Sequence, residues 1–319
     1  MRIRLACILM FCVMVFGNVR ALAWNNIGHM AVAYVAWQNL PADAQARTSA
    51  LIQKNPLYKT WLALIPDSVT GPQRDMYLFM IAATWPDQIK SDAKAFLCNG
   101  HANTDTPPAG EDAALNDGYS DPCMHKYWHF VDESYAIGGA ADQPVPAPNG
   151  QVKIDVFGPA LGSSEDDLVK SYDLVWLEHL VGDIHQPLHC VARYTGPHPK
   201  GDAGGNSVKV TGGELHGYWD DLLGKITKSL YTDALLAEKV GKTLPAADPT
   251  LAADATSADW VQESLTDAKT VAYKNPPIGS DWGPYKLTAA YHTKALSVAQ
   301  QRVSLAGVRL ANLIKADLK

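Results

Sequence analysis

The sequence predicts an all-α protein: a single compact helical domain with long loops and at most a short β-hairpin. Three observations predict it. Apolar residues recur at helical spacing through much of the chain, Ala, Leu, Gln and Lys dominate those runs as helix propensity favours, and strand-like alternation is scarce. The helical runs are 28–40, 172–185, 257–273 and 285–318, and "NSVKVTG" at 206–212 is the one plausible strand. Pro/Gly-rich stretches at 100–122, 138–150 and 194–205 read as loops. In an otherwise helical domain, loops of that length usually build a site.

Before the first helix stands a leader. "MRIR" is basic, "LACILMFCVMVF" is apolar but too short to span a bilayer comfortably, and Ala21-Leu22-Ala23 fits the small-x-small cleavage rule. Residues 1–23 are expected to be a cleaved secretory signal, and 24–319 one domain beginning at Trp24. With no other long apolar stretch, the processed chain is expected to be free of the membrane, periplasmic or secreted, and monomeric.

The full chain carries 27 Lys+Arg against 33 Asp+Glu, a net charge of −6. Removing residues 1–23 takes Arg2, Arg4 and Arg20 and no acid, which leaves −9. So acidic a chain does not suit duplex-DNA binding, which needs a basic stripe to displace counterions. It does not exclude a hydrolase that grips one phosphate through metal ions. Cys7 and Cys12 leave with the signal. Cys98 and Cys123 flank a polar loop and are expected to pair in an oxidising compartment. Cys190 is left over, and a buried free thiol is favoured over thiolate ligation beside His189.

The chain has ten histidines, and several keep patterned company. "EHLVGDIHQPLHC" sets His179 and Asp183 four apart on one helix face, and Pro187 then stops the helix before His189. "ELHGYWDD" repeats the spacing with His216 and Asp220. "TWPDQIK" offers Asp87, "YWHFVDES" offers His129 and Asp132, and His29 follows Trp24 by five residues. A lone His-x-x-x-Asp is more often a surface pair, but two of them with a His-bearing turn are harder to dismiss. Imidazoles and carboxylates without paired thiols are the donor set of a catalytic zinc site. Five histidines, three carboxylates and the Trp24 amine exceed what one ion needs. There is no His-Glu-x-x-His, Gly-x-Ser-x-Gly or Walker loop.

The ordered set "WNNIGH", "WPDQIK", "HFVD", "HLVGDIHQPLH", "GGN", "LHGYWD" and "AGVRLANLI" resembles the zinc-dependent single-strand nucleases typified by nuclease P-one and nuclease S-one. The resemblance runs from Trp24 to near the C-terminus. It implies a mostly helical fold, of the type shared with zinc phospholipase C, with three zinc ions per chain at the bottom of a cleft. Asp87, His129, His179 and Asp183 would hold the first ion; His189, His216 and Asp220 the second; and Trp24, His29 and a bridging Asp183 the third. Trp24 would ligate through its carbonyl oxygen and an amine that exists only after cleavage. Lys90 would contact phosphate, Asp132 orient the attacking water, and Phe130 stack on a base. Gly204, Gly205 and Asn206 would shape the base pocket. "CVARYTGPHPKGDA" before them looks longer than in the fungal members, which leaves base preference open. His101, His125, His185, His198 and His292 are left as structural or surface residues.

The implied reaction is hydrolysis of single-stranded DNA and RNA at the P–O3′ bond, giving 5′-phosphate products. Nucleoside 3′-monophosphates would be substrates too. The absence of an Asn-x-Ser/Thr acceptor favours a bacterial member over glycosylated fungal and plant ones. A zinc phospholipase C is the rival enzyme, but there the Trp-to-His spacing is longer and the last ligand is a glutamate. A non-catalytic zinc-binding protein would have no use for Lys90 or Asp132.

Overall fold

A computed structural model of the chain describes residues 24–90 and 104–318. The leader, Cys98 and His101 lie outside them. The described helices are α1 (Asn26–Asn39), α2 (Ala42–Lys54), α3 (Tyr58–Leu62), α4 (Gly71–Ala82), α5 (Trp85–Ile89) and α6 (Gly150–Ala160). After these come α7 (Asp167–Asp183), α8 (Leu215–Asp220), α9 (Leu230–Gly241), α10 (Pro249–Ala252), α11 (Ser257–Asp267) and α12 (Ala289–Asp317). The predicted all-α class holds. No helix among the described residues is long and apolar enough to cross a membrane.

α1 and α7 form the centre. Every residue of α1 from Ile27 to Trp37 is buried, and so is every residue of α7 from Ser171 to Asp183. A helix buried on all sides is a core element rather than a surface one. α1 is surrounded by α4, α7, α9 and α12. Gly182 permits the α1–α7 contact at the site: a Cβ there would stand 2.9 Å from His29 Nδ1. The main apolar cluster fills the space between these helices. A second cluster joins Leu188, Val191, Leu215, Trp219 and Tyr273. His189 and His216 follow members of the second cluster directly, so the polar residues sit where the two clusters meet.

Side-chain caps set the starts of α1 and α12. Asn25 accepts from the amides of Ile27 and Gly28 to start α1, and Thr288 caps Tyr291 N to start α12. α12 therefore begins at Ala289 rather than Tyr285. α7 ends at Asp183, and Pro187 opens a 3₁₀ turn, Pro187–Cys190, that carries His189. The run from 257 is α-helical only to Asp267, after which 268–272 form a π-helical turn.

The strand content needs a correction. β3 (Lys209–Val210) and β4 (Gly213–Glu214) are the expected short hairpin. β1 (Ser134–Ala136) and β2 (Ala192–Tyr194) also pair, in parallel, with Ser134 opposite Ala192 and Ala136 opposite Tyr194. Strands of three residues are too short for alternation to show in a sequence. The two segments are joined from Val131 N, which donates to His189 O at 2.7 Å, to Ile137 N, which donates to Tyr194 O at 3.0 Å.

Candidate metal centre

Eight of the candidate ligands arrive from six elements. α1 brings His29, α5 Asp87, the 3₁₀ turn Lys126–His129 brings His129, α7 His179 and Asp183, the Pro187 turn His189, and α8 His216 and Asp220. None is more than 6% exposed. Three triads each place one donor atom per residue within 4.8 Å of one another: Asp87–His129–His179, His29–His179–Asp183 and His189–His216–Asp220.

In the first group, the two nitrogens His129 Nδ1 and His179 Nε2 lie 2.9 Å apart. Asp183 Oδ2 is 3.1 Å from His129 Nδ1 and 3.3 Å from His179 Nε2. Asp87 Oδ1 is 3.7 and 3.6 Å from the same two nitrogens. His29 Nε2 approaches the other oxygen of Asp183 at 3.4 Å, so Asp183 faces both sides. His29 and His179 stack, with ring centroids 3.8 Å apart.

In the second group, His189 Nε2 and His216 Nε2 face each other at 3.0 Å. Their Nδ1 atoms bond to carbonyl oxygens: His189 to His129 O at 2.6 Å and His216 to Gly204 O at 2.7 Å. A carbonyl accepts only, so Nδ1 carries the proton and Nε2 a bare lone pair. Two lone pairs at that distance repel unless a cation lies between them. His179 is the same case, with Nδ1 on Ala83 O at 2.8 Å. The first group also leaves buried polar atoms without a hydrogen bond: both nitrogens of His29, His129 Nε2 and Asp183 Oδ1. Such orphans are costly, and the donor set fits zinc.

Burial lowers His29, His129 and His189 well below the usual imidazole range, with neighbouring positive and imidazole groups adding to it. They are therefore neutral, the form that ligates. Burial also opposes the charge of His179, but the Asp183 and Asp87 carboxylates outweigh it and raise that ring. Burial pushes Asp183 up to about 6 and raises Asp220 well above its ordinary value. A cation among them would return both to carboxylate.

Trp24 is fully buried, and its indole donates to Gly182 O at 3.0 Å. Asn25 N lies 3.4 Å from Asp220 O. The Trp24–Asn25 peptide thus sits between the end of α7 and α8, beside both groups. In the uncleaved chain the Trp24 nitrogen is an amide without a free lone pair.

Lys90 forms an ion pair with Asp87 and is only 11% exposed. Asp132 is half-buried, and burial, followed by the charges of Asp202 and Asp105, pushes it up to about 7. Phe130 is half-buried against the main cluster. Gly204 has φ +58°, and a Cβ there would stand 2.3 Å from Leu188 O. Only glycine fits, and its carbonyl holds His216. Gly205 N donates to Asp202 Oδ1 at 3.2 Å, and the Asn206 amide turns onto Ala203 O at 2.8 Å.

Sequence reasoning missed the supports. Gln186 donates to Asp220 Oδ1 at 2.8 Å and accepts from Leu188 N at 2.6 Å, joining two segments that carry candidate ligands. Its place between His185 and Pro187 in the ligand motif was the available signal. His185, left without a role, is fully buried and 2.9 Å from Arg309 Nη1. His125 stacks on Trp128 at 3.5 Å and lies 2.5 Å from Asp121. Cys190 is free and buried, and burial raises its thiol.

The S1/P1 nuclease family matches residues 24–319, beginning at Trp24 itself. The chain is similar to Endonuclease 3 of Arabidopsis thaliana, 24% identical over 92% of this chain and 88% of the relative. Endonuclease 5 of the same plant is 25% identical over 98% of this chain and 95% of the relative. The family match spans every candidate ligand, from Trp24 to Asp220. The chain belongs to the S1/P1 nuclease family and is, by that membership, a phosphodiester-hydrolysing nuclease.

Proposed function

We propose that the chain is a zinc-dependent endonuclease of single-stranded DNA and RNA. It cuts the P–O3′ bond, leaves 5′-phosphates and also hydrolyses nucleoside 3′-monophosphates. The observation that carries this reading is the pair of facing lone-pair nitrogens, His189 Nε2 and His216 Nε2, 3.0 Å apart beside an equally crowded first group. In this reading Asp87, His129, His179 and Asp183 hold one ion, and His189, His216 and Asp220 a second. Trp24, His29 and Asp183 hold a third once residues 1–23 are removed. The processed chain is a periplasmic or secreted monomer, 24–319, with Cys98 and Cys123 joined.

Bound zinc supplies a water acidified to a pKa of about 7 and charge to neutralise phosphoryl oxygens. The remaining work belongs to side chains. Asp132, whose pKa burial raises to about 7, orients the water as a carboxylate and accepts a hydrogen bond from it. Lys90 turns from Asp87 toward a phosphate oxygen and offsets its charge. Phe130 offers its face to an unpaired base, which a duplex withholds. Gly204 keeps His216 in register through its carbonyl. The phospholipase C alternative has no observation of its own in its favour.

The test is elemental analysis of the processed protein with paired assays on single-stranded DNA, RNA, a nucleoside 3′-monophosphate and phosphatidylcholine. About three zincs per chain, with activity on the first three substrates lost to chelation and restored by zinc, is expected. A fully active protein with one metal, or cleavage of the lipid instead, overturns it.

A further inference from the structure

Asp183 belongs to the α7 side of the centre and His189 to the α8 side, and the chain joins them through a short turn, Ile184 to Leu188. Every residue of that turn is buried. Its path fixes how far apart the two groups of candidate ligands stand. Three of its polar groups are held from behind. Ile184 O accepts from Ser264 Oγ at 2.6 Å and from Cys190 Sγ at 3.2 Å. His185 O accepts from Arg302 Nε at 3.4 Å. The His185 ring bonds to Val181 O through Nδ1 at 2.7 Å. A carbonyl accepts only, so Nδ1 carries the proton and Nε2 accepts from Arg309 Nη1 at 2.9 Å.

Apart from Cys190 and Val181, these partners come from α11 and α12. Arg302 and Arg309 stand seven residues apart on α12, two turns along one face. Arg309 lies within "AGVRLANLI", a stretch that supplies no candidate ligand. Glu263 of α11 ties the two together, accepting from Arg302 Nη1 at 2.6 Å and from Arg309 at 2.7 Å on each oxygen. Arg302 Nη2 also donates to Ser264 Oγ at 2.7 Å, which completes a chain from Arg302 through Ser264 to Ile184. α12 itself is seated closely on α1: a Cβ on Gly307 would stand 2.4 Å from Val35 Cβ. Arg302 and Arg309 are both buried. Buried ion pairs seldom add net stability over an apolar core of the same volume. These two guanidiniums instead direct hydrogen bonds at one turn.

We propose that Arg302 and Arg309, acting through Ser264 and His185, are positioning residues for the metal centre. They hold the Ile184–Leu188 turn so that Asp183 and His189 stand at the separation at which both sides bind their ions. Gln186 braces the α8 side alone, whereas the arginines brace the joint between the two sides. The C-terminal helix thereby supports the centre without bringing a ligand to it. The inference rests on the proposed zinc binding and deepens it.

The test is a chelator titration of the zinc-loaded processed protein, read by zinc release, with urea midpoints measured on the same variants. His185→Asn keeps a nitrogen donor near the Nδ1 position for Val181 O and removes the acceptor for Arg309. His185→Gln places an amide oxygen near the Nε2 position and keeps that acceptor. Ser264→Ala removes the hydroxyl donor to Ile184 O. Asn312→Ala is the control, because Asn312 holds α12 to Ala252 O at 3.0 Å and does not reach the turn. His185→Asn and Ser264→Ala should each weaken zinc binding about tenfold, the lower end for outer partners of metal ligands, on both sides together. His185→Gln should retain most of the affinity. Asn312→Ala should lower the urea midpoint and leave zinc affinity where it was. Affinity that merely tracks the urea midpoint, control included, overturns the positioning role, and so does a loss confined to one side. If His185→Asn does not fold, Ser264→Ala decides, and unchanged affinity there overturns it too. An unaltered protein that takes up no zinc overturns the proposed function and this inference with it. Normal zinc uptake with variants indistinguishable from the unaltered protein overturns this inference alone.

Discussion

On the α7 side of the centre, His29 has no hydrogen-bond partner on either ring nitrogen, and His129 Nε2 and Asp183 Oδ1 are likewise unpaired. On the α8 side, His189, His216 and Asp220 are each held from behind, by His129 O, Gly204 O and Gln186. Both sides are equally buried. The α8 side is thus aimed in advance by outer hydrogen bonds, as ligating histidines commonly are. The α7 side depends on what binds there to satisfy it. On the α7 side His179 alone is held in that way, with its Nδ1 on Ala83 O at 2.8 Å, and no backbone carbonyl accepts from either ring nitrogen of His29.

The largest break in this comparison should come from Asp183→Ala. Asp183 faces both His29 and the His129–His179 pair, so its loss should remove two ions and reduce activity to background. Elemental analysis should find about one zinc left, on the α8 side. Three retained ions would mean that the two sides are not joined through Asp183.

Nearly as large is the effect expected from one extra residue before Trp24. The Trp24 nitrogen then stays an amide, and the α7 side should lose one ion while the α8 side stays filled. Zinc stoichiometry should drop by about one, with single-strand cleavage collapsing. Equal activity with either N-terminus would leave Trp24 as a buried aromatic only.

Asp132→Asn separates chemistry from metal binding. Zinc content should be unchanged and kcat should fall about 10²–10⁴-fold, the usual worth of a positioned acid–base group. In the unaltered protein, activity should decline as pH falls through about 7, where Asp132 takes up its proton. A kcat–pH profile that kept this limb in Asp132→Asn would assign it elsewhere.

Gln186→Ala tests whether the α8 side really is held in advance. Outer partners of metal ligands are worth about 10–100-fold in affinity, so one ion should become easier to chelate while the α7 ions do not. A chelator titration followed by zinc release should resolve the two classes.

The smallest effect concerns stability behind the α7 side. Glu178 on α7 is fully buried with both oxygens unpaired, and burial raises its carboxyl well above the ordinary range. It is neutral when folded and ionises when unfolded above about pH 4.3. Its contribution is therefore full below that pH and is lost as pH rises toward the folded value. Glu178→Gln should flatten that fall, which urea midpoints between pH 5 and 7 would measure.

Much of this molecule was legible in order of residues. α1, α7, α11 and α12 announce themselves by apolar spacing, and the eight candidate ligand side chains by donor type and the repeated four-residue offset. β1 and β2 were not legible, because three residues carry no period and their pairing joins segments far apart in the chain. Gln186 was passed over for a related reason. Its amide resembles any polar side chain until Asp220, thirty-four residues away, is brought to it.

The division is physical. Local sequence determines what depends on neighbours along the chain: helix periodicity, the caps at Asn25 and Thr288, the stop at Pro187, and which side chains have lone pairs to offer. Tertiary structure alone decides what depends on distance and burial. It turns His189 and His216 lone pair to lone pair and leaves both ring nitrogens of His29 without a hydrogen bond. It also lays His198 flat against Trp282, eighty-four residues further along the chain. Those outcomes follow from which backbone carbonyls and apolar faces arrive together, and no run of adjacent residues contains that information.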